Sequence, residues 1–494
     1  MSINSRQIQF TADVLTSAGV VTGAGPLYNI MSVSVTEEID RIGQVEVVVP
    51  AVGDREIALV AAQNQIQVHA WDGFTYSQLA TGYMHNIALT YGDDGMPVYS
   101  ITGPDLLYEL VELSTGYNCL YDDRDVKTVI VGTTATATSL LGGTGWTQGS
   151  VEDFGNATIE YSAETRFSAL TMLCEQLGRH VRQGSTEQTL DFGVFGASSG
   201  VRLTNMHHML GGQQSTTDIS IIGSATITTM SADIENRLFP LGKDGFDMRD
   251  ATAASANIKA MTVRGPTGHS STCNGAITAA DTSFIIAAVA TIVIGDELWL
   301  GDATDWTQTH EIVKVTNVAG TTITILDEFA NSFADGTTVI RIPQFYVESA
   351  ASQATYGVRE NCPQFGWIGP ADKSANIAEQ QLAADALYAA ANARMTRYAD
   401  SYESYQFAGV KQFPSDVKVG QKIRVVFNGA MNAFGGTIYK AIDDDFYVTR
   451  IKRSWAADGS RSVELDVSDV NRPTPNNASL VLFNLDTMKW IGLG

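Results

Sequence analysis

The chain has 494 residues, of which 44% are hydrophobic and 17% charged, and its formal net charge is −23. That length exceeds one ordinary core and implies about two to four domains. The composition excludes a disordered chain, and the acidity excludes free nucleic-acid binding, which needs clustered Lys and Arg.

The 45 Gly against 12 Pro, with alternating runs of Thr, Val and Ile, predict mostly β structure with many turns. Residues 1–115 read as a hairpin-rich β domain. Met31-Ser-Val-Ser-Val alternates as a half-buried strand does, and Gln44-Val-Glu-Val-Val-Val stops at Pro50. Asn64 to Trp71 alternates and ends at an Asp72-Gly73 hairpin turn. Further strands run over Leu79 to Leu89 and Val98 to Thr102, parted by a Gly92-Asp-Asp-Gly95 turn. Pro104 opens a short helix with Leu106, Leu107, Leu110 and Val111 on one side.

Residues 116–256 read as an α+β part. A turn or cap cluster, Asp122-Asp-Arg-Asp125, precedes a helix ending near Leu140-Leu141. Ser162 is placed as the N-cap of a second helix, with Phe167, Leu170, Leu173, Cys174 and Leu177 on one face and Gly178 at its end. Short strands follow at His180 to Arg182, Thr189 to Phe192, Asp218 to Ile222 and Ala225 to Met230, and Ile234 to Arg237 starts a strand or loop. Residues 257–343 are rich in Thr, Ala and Gly. Strands at Phe284 to Val293, Asp296 to Leu300, His310 to Val318, Thr321 to Leu326 and Thr337 to Ile342 predict a small inserted barrel. Residues 344–475 hold an Ala-rich helix from Ala375 to Arg397, capped by Ser374, with Ile377, Ala384, Leu387 and Ala391 on one face. Strands at Tyr402 to Val410, Lys422 to Asn428, Phe446 to Trp455 and Arg461 to Val467 follow, the last two joined by an Asp458-Gly459 turn. Residues 476–494 form a tail with an apolar stretch, Leu480 to Leu485.

Cys119, Cys174, Cys273 and Cys362 show no CxxC spacing, so each is expected to be a small buried apolar residue. The start, MSINSRQIQF, lacks a signal-peptide pattern, and the longest apolar run, Phe284 to Gly295, is too short to cross a bilayer. No nucleotide-cradling loop is present. His310-Glu311 begins like a zinc-peptidase motif, but Lys314 stands where the second His is needed. His207-His208 are adjacent, so their side chains diverge on a strand or a helix. Asp122-Asp123-Asp125 and Asp443-Asp444-Asp445 lack calcium-loop spacing and read as solvated turns. Trp71, Tyr76 and Tyr83 form a sugar platform only if they are not core or interface. No residue is assigned a catalytic, cofactor-binding or metal-ligating role, and no cofactor is expected.

The order of segments resembles the baseplate or tail-tip hub family of tailed bacteriophages. The resemblance is carried first by Ser32-Val-Ser-Val-Thr-Glu-Glu38, Gly43-Gln-Val-Glu-Val-Val-Val49, Leu79-Ala-Thr-Gly-Tyr83 and Ile101-Thr-Gly-Pro-Asp-Leu-Leu107. Thr144-Gly-Trp146 with the helix at Phe167 to Leu177 continues it, and Val419-Gly-Gln-Lys-Ile-Arg-Val-Val426 with Tyr447-Val-Thr-Arg-Ile-Lys-Arg453 completes it. It covers about three quarters of the chain and leaves Asn257 to Pro343 outside. The resemblance implies a mainly β fold with two hub barrels, an intervening α/β segment and the inserted small β domain. It implies a structural, non-enzymatic subunit of the virion tail tip. Its homotrimer would form a pseudo-sixfold ring joining a tail-tube ring or distal tail protein to spike or fibre proteins, with the tape measure protein as a further partner. DNA would meet the ring only in passing through its channel, whose acidic lining would repel the phosphate backbone. Two alternatives stand beside it: a tail-associated cell-wall hydrolase or peptidase, and an adhesin binding a host-surface glycan through residues 257–343.

Overall fold

Alternation builds the first barrel. In Gln44–Pro50 the valines at 45, 47 and 49 point inward and are buried, while the intervening residues are partly exposed. This strand lies between Ser32–Glu38 and Pro97–Pro104, and Asn86–Tyr91 pairs on the far side of Pro97–Pro104. A separate three-stranded sheet of Gln9–Leu15, Gln65–Trp71 and Tyr76–Tyr83 faces it. The two enclose a core that includes Phe10, Val14, Ile66, Val68, Val33, Val47 and Ile101.

The structure, a computed structural model, describes residues 9–17, 19–22, 26–51, 53, 58–71, 76–91, 95–116, 119–132, 139–204, 219–221, 224–231, 233–246, 262–264, 270–289, 292–301, 311–341, 344–370, 377–410, 413–427 and 442–470. The chain forms two units. One comprises residues 1–157, 161–233 and 400–494, and the other residues 158–160 and 234–399.

In the first unit, the second barrel follows the strand path Ile219–Ile221, Ser198–Thr204, Lys422–Phe427, Ile442–Ala456, Arg461–Ser468, Tyr402–Val410 and Ser224–Met230. Laid flat, such a path would be about 29 Å wide. Its two end strands are joined by only two residues, a link that reaches at most about 11 Å. The sheet must therefore curl, and it closes over Val201, Leu203, Tyr405, Phe407, Ile423, Val448 and Val467.

The two barrels belong to one 11-stranded sheet because they share Ile442–Ala456. Residues 442–447 of this strand pair with Lys422–Phe427 of the second barrel. Residues 450–456, on the same edge, pair with Ser32–Glu38 of the first. Arg461–Ser468 runs along the other edge, and a register shift between Val448 and Arg450 turns Ile451 back toward the second core.

Of the α+β part, residues 116–157 and 161–233 lie in the first unit, and residues 158–160 and 234–256 belong to the second. Asp125 ends the strand Cys119–Asp125 and caps the helix Val126–Val131, accepting the Thr128 N–H at 2.7 Å. That helix stops at Gly132, whose φ is 85°, so it ends well before the predicted Leu140-Leu141. The next helix is Arg166–Leu177, and its N-cap is Thr165 rather than Ser162. Ala163 and Thr115 donate backbone hydrogen bonds to Gly116 and Glu164, and with Ala163 at φ 65° the chain bends before Thr165, which accepts the Ser168 N–H as the cap. Gly178 closes the helix in the left-handed region, as expected.

The second unit is entered and left from paired strand ends, since Met230 lies opposite Tyr402. Arg237–Leu238 sits between Gln344–Glu348 and Glu360–Asn361, and Thr262–Arg264 pairs on the outside of Gln344–Glu348. The helix Ile377–Tyr398 presents Ala384, Leu387 and Ala391 to the core, joined by Ala383, Ala390 and Met395. Small Ala side chains allow this close approach. The small barrel is nested in this unit between the paired residues Arg264 and Gln344. Its strand order is Ser270–Thr272, Thr338–Arg341, Glu297–Gly301, Glu311–Ala319, Thr322–Ile325, Ser283–Ile285. A bridge between Cys273 and Ile286 joins the first strand to the last and closes the barrel around Leu298, Val313, Ile323, Phe329 and Val339. The predicted strand from Phe284 to Val293 ends early because Ala288 turns its N–H to Ser271 Oγ and the Ile292 N–H returns to Val289 O.

Candidate assembly site

The functional reading depends on how the two barrels are held, so the joint between them is the place to look. It centres on residues 37–41, where the strand Ser32–Glu38 leaves the first core and Ile39 enters the second. Ile39 continues the pairing by donating its N–H to Thr449 O at 3.0 Å.

Arg453 occupies the boundary on the shared strand. Its neighbours on the same face are Ile451, in the second core, and Trp455, packed on the first. Arg453 is 8% exposed. Its guanidinium donates to Glu37 Oε1 at 2.7 Å and to the carbonyls of Ser415 and Val417. A buried guanidinium needs such partners, because an uncompensated one would be strongly destabilising. Asp40 ties in the α+β part. Its backbone sits at φ 58°, which Asp tolerates better than most residues. Its carboxylate accepts the Val181 N–H at 2.8 Å and lies 2.7 Å from His180 Nδ1. Arg182 adds a clamp: it pairs with Asp191 at 3.2 Å, donates to Val419 O and stacks 4.0 Å from the Phe195 ring centre. Burial lowers its pKa, and the Asp191 charge opposes that shift.

Two carboxyl groups fix the first barrel. Asp105 accepts the Gly43 N–H at 2.9 Å and the Leu107 N–H at 3.0 Å, linking a hairpin to the end of Pro97–Pro104. Burial raises its pKa to about 7, against the lowering effect of those two N–H donors. Glu109 accepts from Trp146 Nε1 at 2.8 Å, Gln188 Nε2 at 3.0 Å and Tyr83 Oη at 3.0 Å. It thereby joins the first barrel to the α+β part. Glu187 does the same from outside, accepting from Gln67, Gln78 and Thr81.

The residues weighed for chemistry are not brought together. Glu311 accepts the backbone N–H groups of Ala330 and Asn331, which is a loop clamp, and His310 lies outside the described residues. His207-His208, the Asp72-Gly73 turn, residues 92–94 of the next turn, Ser374 and the apolar tail at Leu480 to Leu485 also lie outside them. Asp125 is a helix cap, and Asp443 and Asp445 flank Arg424 at 3.0 and 3.6 Å. Trp71 is 39% exposed whereas Tyr83 is buried between Gln65 and Glu109, so these two form no common platform. The side chain of Tyr76 is outside the described ones. Cys174 and Cys273 are buried as expected, but Cys119 is only partly buried and Cys362 is exposed, because Cys362 follows a two-residue edge strand rather than a core position. Among the described residues no group of three metal-ligating side chains gathers, and no helix is long and apolar enough to cross a membrane.

Sequence reasoning missed the joint. Its signal was present as charged residues, Asp40, Arg182 and Arg453, set within or beside strongly alternating strands.

No family model and no curated protein matches the sequence. Among solved structures, the chain is similar to the 43 kDa tail protein of prophage MuSo2 from Shewanella oneidensis, at 11% identity and a TM-score of 0.46, covering 93% of this chain and 98% of that one. It is similar to the tail protein from Neisseria meningitidis MC58, at 12% identity and a TM-score of 0.45, covering 93% and 96%. It is also similar to prophage tail protein gp18 from Listeria monocytogenes EGD-e, at 8% identity and a TM-score of 0.44, covering 97% and 99%.

Proposed function

We propose that this chain is a structural hub subunit of a phage tail tip or baseplate. The observation that carries the reading is the pair of sequence-distant barrels fused into one sheet through Ile442–Ala456. A subunit with two such barrels lets a trimer offer six barrels to a sixfold tail ring while keeping threefold symmetry for a spike or fibre. The shared strand and the Arg453–Glu37 contact keep the two barrels in a fixed relation, which such a ring requires. The ring would enclose the DNA exit channel, and the net charge of −23 suits a lining that DNA must not stick to.

Gold labelling of a tagged chain in purified particles tests the position: label at the distal end of the tail is expected. Particles that lack the chain, or carry it only along the tube or in the head, would refute the reading. A map of the assembly with a basic lumen would remove the channel-lining role alone.

A further inference from the structure

The small barrel closes through an exposed turn. Cys273 bridges Ile286, and the next residue, Asn274, donates its N–H to Ile285 O at 2.8 Å. On the other side, Cys273 donates to Thr337 O at 2.8 Å and Gly336 to Cys273 O at 3.1 Å. Gly275 follows at φ 116°, a backbone that residues with a side chain rarely adopt. Its N–H is donated to Asp335 Oδ1 at 2.7 Å. Asn274 and Asp335 are both exposed, and the side-chain amide of Asn274 has no hydrogen-bond partner among the described residues. Nothing stands within 4 Å of where a Cβ on Gly275 would lie.

Asn followed by Gly is the pair in which the main-chain nitrogen meets least obstruction on its way to the side-chain carbonyl carbon. What limits that attack is the amide proton, which the nitrogen holds tightly. A carboxylate that already accepts this proton, at a distance proper to a general base, removes the limit. We propose that Asn274 is a self-modifying site, converted to aspartate or isoaspartate with Asp335 as the base. Asp335 takes the Gly275 proton as the nitrogen bonds to Asn274 Cγ. The Cγ–Nδ2 bond then breaks, the proton passes to the departing nitrogen, and ammonia leaves behind a cyclic imide. Water opens either C–N bond of that ring and is the only co-reactant.

The product acts on the closure of the barrel. A second carboxylate at position 274 stands next to Asp335, and like charges at close range repel. Isoaspartate also lengthens the main chain by a methylene at the residue bonded to Ile285, one place beyond the Cys273–Ile286 bridge. Water does not reverse the loss of ammonia, so the change runs one way and accumulates with the age of the protein. The chain's other Asn-Gly pair, at Asn428, lies outside the described residues. This inference stands on the small barrel alone and is independent of the hub reading.

The test holds the full chain at neutral pH and maps it by peptide mass spectrometry at intervals, beside a synthetic peptide of residues 271–278. Position 274 is expected to convert faster in the folded chain than in the peptide. Asp335→Ser is expected to slow the conversion by about 100-fold or more, the share a general base supplies. If the Asp335 bond only pinned the turn, freeing it would speed conversion instead. Hydrogen exchange at residues 283–286 should quicken in aged wild type and stay unchanged in aged Asn274→Gln, whose longer side chain forms the ring poorly. Conversion no faster in the folded chain than in the peptide, or undiminished in Asp335→Ser, would overturn the proposal. Exchange at residues 283–286 that ignores age, in a chain shown to be converted, would overturn the effect on closure. Neither result touches the hub reading, which depends on where the chain sits in the tail.

Discussion

Asp105 is a buried carboxyl group, and its titration should be visible in the stability of the first barrel. Its pKa stands at about 7 in the folded chain, against an ordinary value of 3.8, because burial disfavours the charged form. The folded state therefore holds a proton that the unfolded state has released over that interval. The stability from this group is complete below about pH 4 and is lost as pH rises through about 7. About three pH units at roughly 1.4 kcal/mol each give a loss of about 4 kcal/mol. Asp105→Asn removes the titration and adds a constant penalty of about 1–3 kcal/mol, since its amide nitrogen cannot accept from Gly43 or Leu107. The assay is urea unfolding with pulsed hydrogen exchange over residues 32–50 and 97–112, which reads the first barrel apart from the rest. The advantage of wild type over Asp105→Asn, about 1–3 kcal/mol at about pH 4, should fall by about 4 kcal/mol and reverse sign by about pH 8. Other buried carboxyls, such as Asp466, titrate in both proteins and cancel. A difference that stays constant within about 1 kcal/mol across that range would refute the reasoning.

Glu109→Ala leaves Trp146, Gln188 and Tyr83 without their acceptor and should cost about 3–5 kcal/mol in urea unfolding. Glu109→Gln should cost only about 1 kcal/mol, because the Tyr83 hydroxyl can turn to accept from the new amide. Gly103→Ala puts a Cβ 1.6 Å from Tyr83 O, so no folded first barrel is expected by hydrogen exchange. Gly95→Ala, in open space at φ 76°, should lose only about 1–2 kcal/mol by the same measurement. Replacing residues 265–343 with Asn-Gly joins the paired residues Arg264 and Gln344 by a two-residue hairpin loop, and thermal unfolding of the remainder should be unchanged. Host adsorption by particles carrying that deletion is the second readout: its loss would assign the small barrel to receptor binding, and unchanged adsorption would count against an adhesin role.

Much of the strand pattern was legible because it depends on neighbours in sequence. Val45, Val47 and Val49 announce their inward face through period two alone, and Tyr402–Val410 is found with the bounds expected. The small barrel was legible as a run of strands, but not which strands meet to close it, since the Cys273–Ile286 bridge joins the first strand of the sheet to the last. The joint was less legible still. Arg453 and Glu37 are 416 residues apart, and no local pattern says that they meet. Thr165 displaced Ser162 as a cap because the backbone bonds that tie residues 163 and 164 to Gly116 and Thr115 keep the helix from starting earlier, which is a tertiary effect.

The strand Ile442–Ala456 also has a mechanical consequence. A pull directed along it, from one barrel toward the other, travels through covalent backbone with no hinge in its path. The ladders on either side are then sheared rather than peeled, so their hydrogen bonds must yield together and not one after another. The two barrels should move as a single stiff bar, and the place to look for compliance under tension is outside this strand.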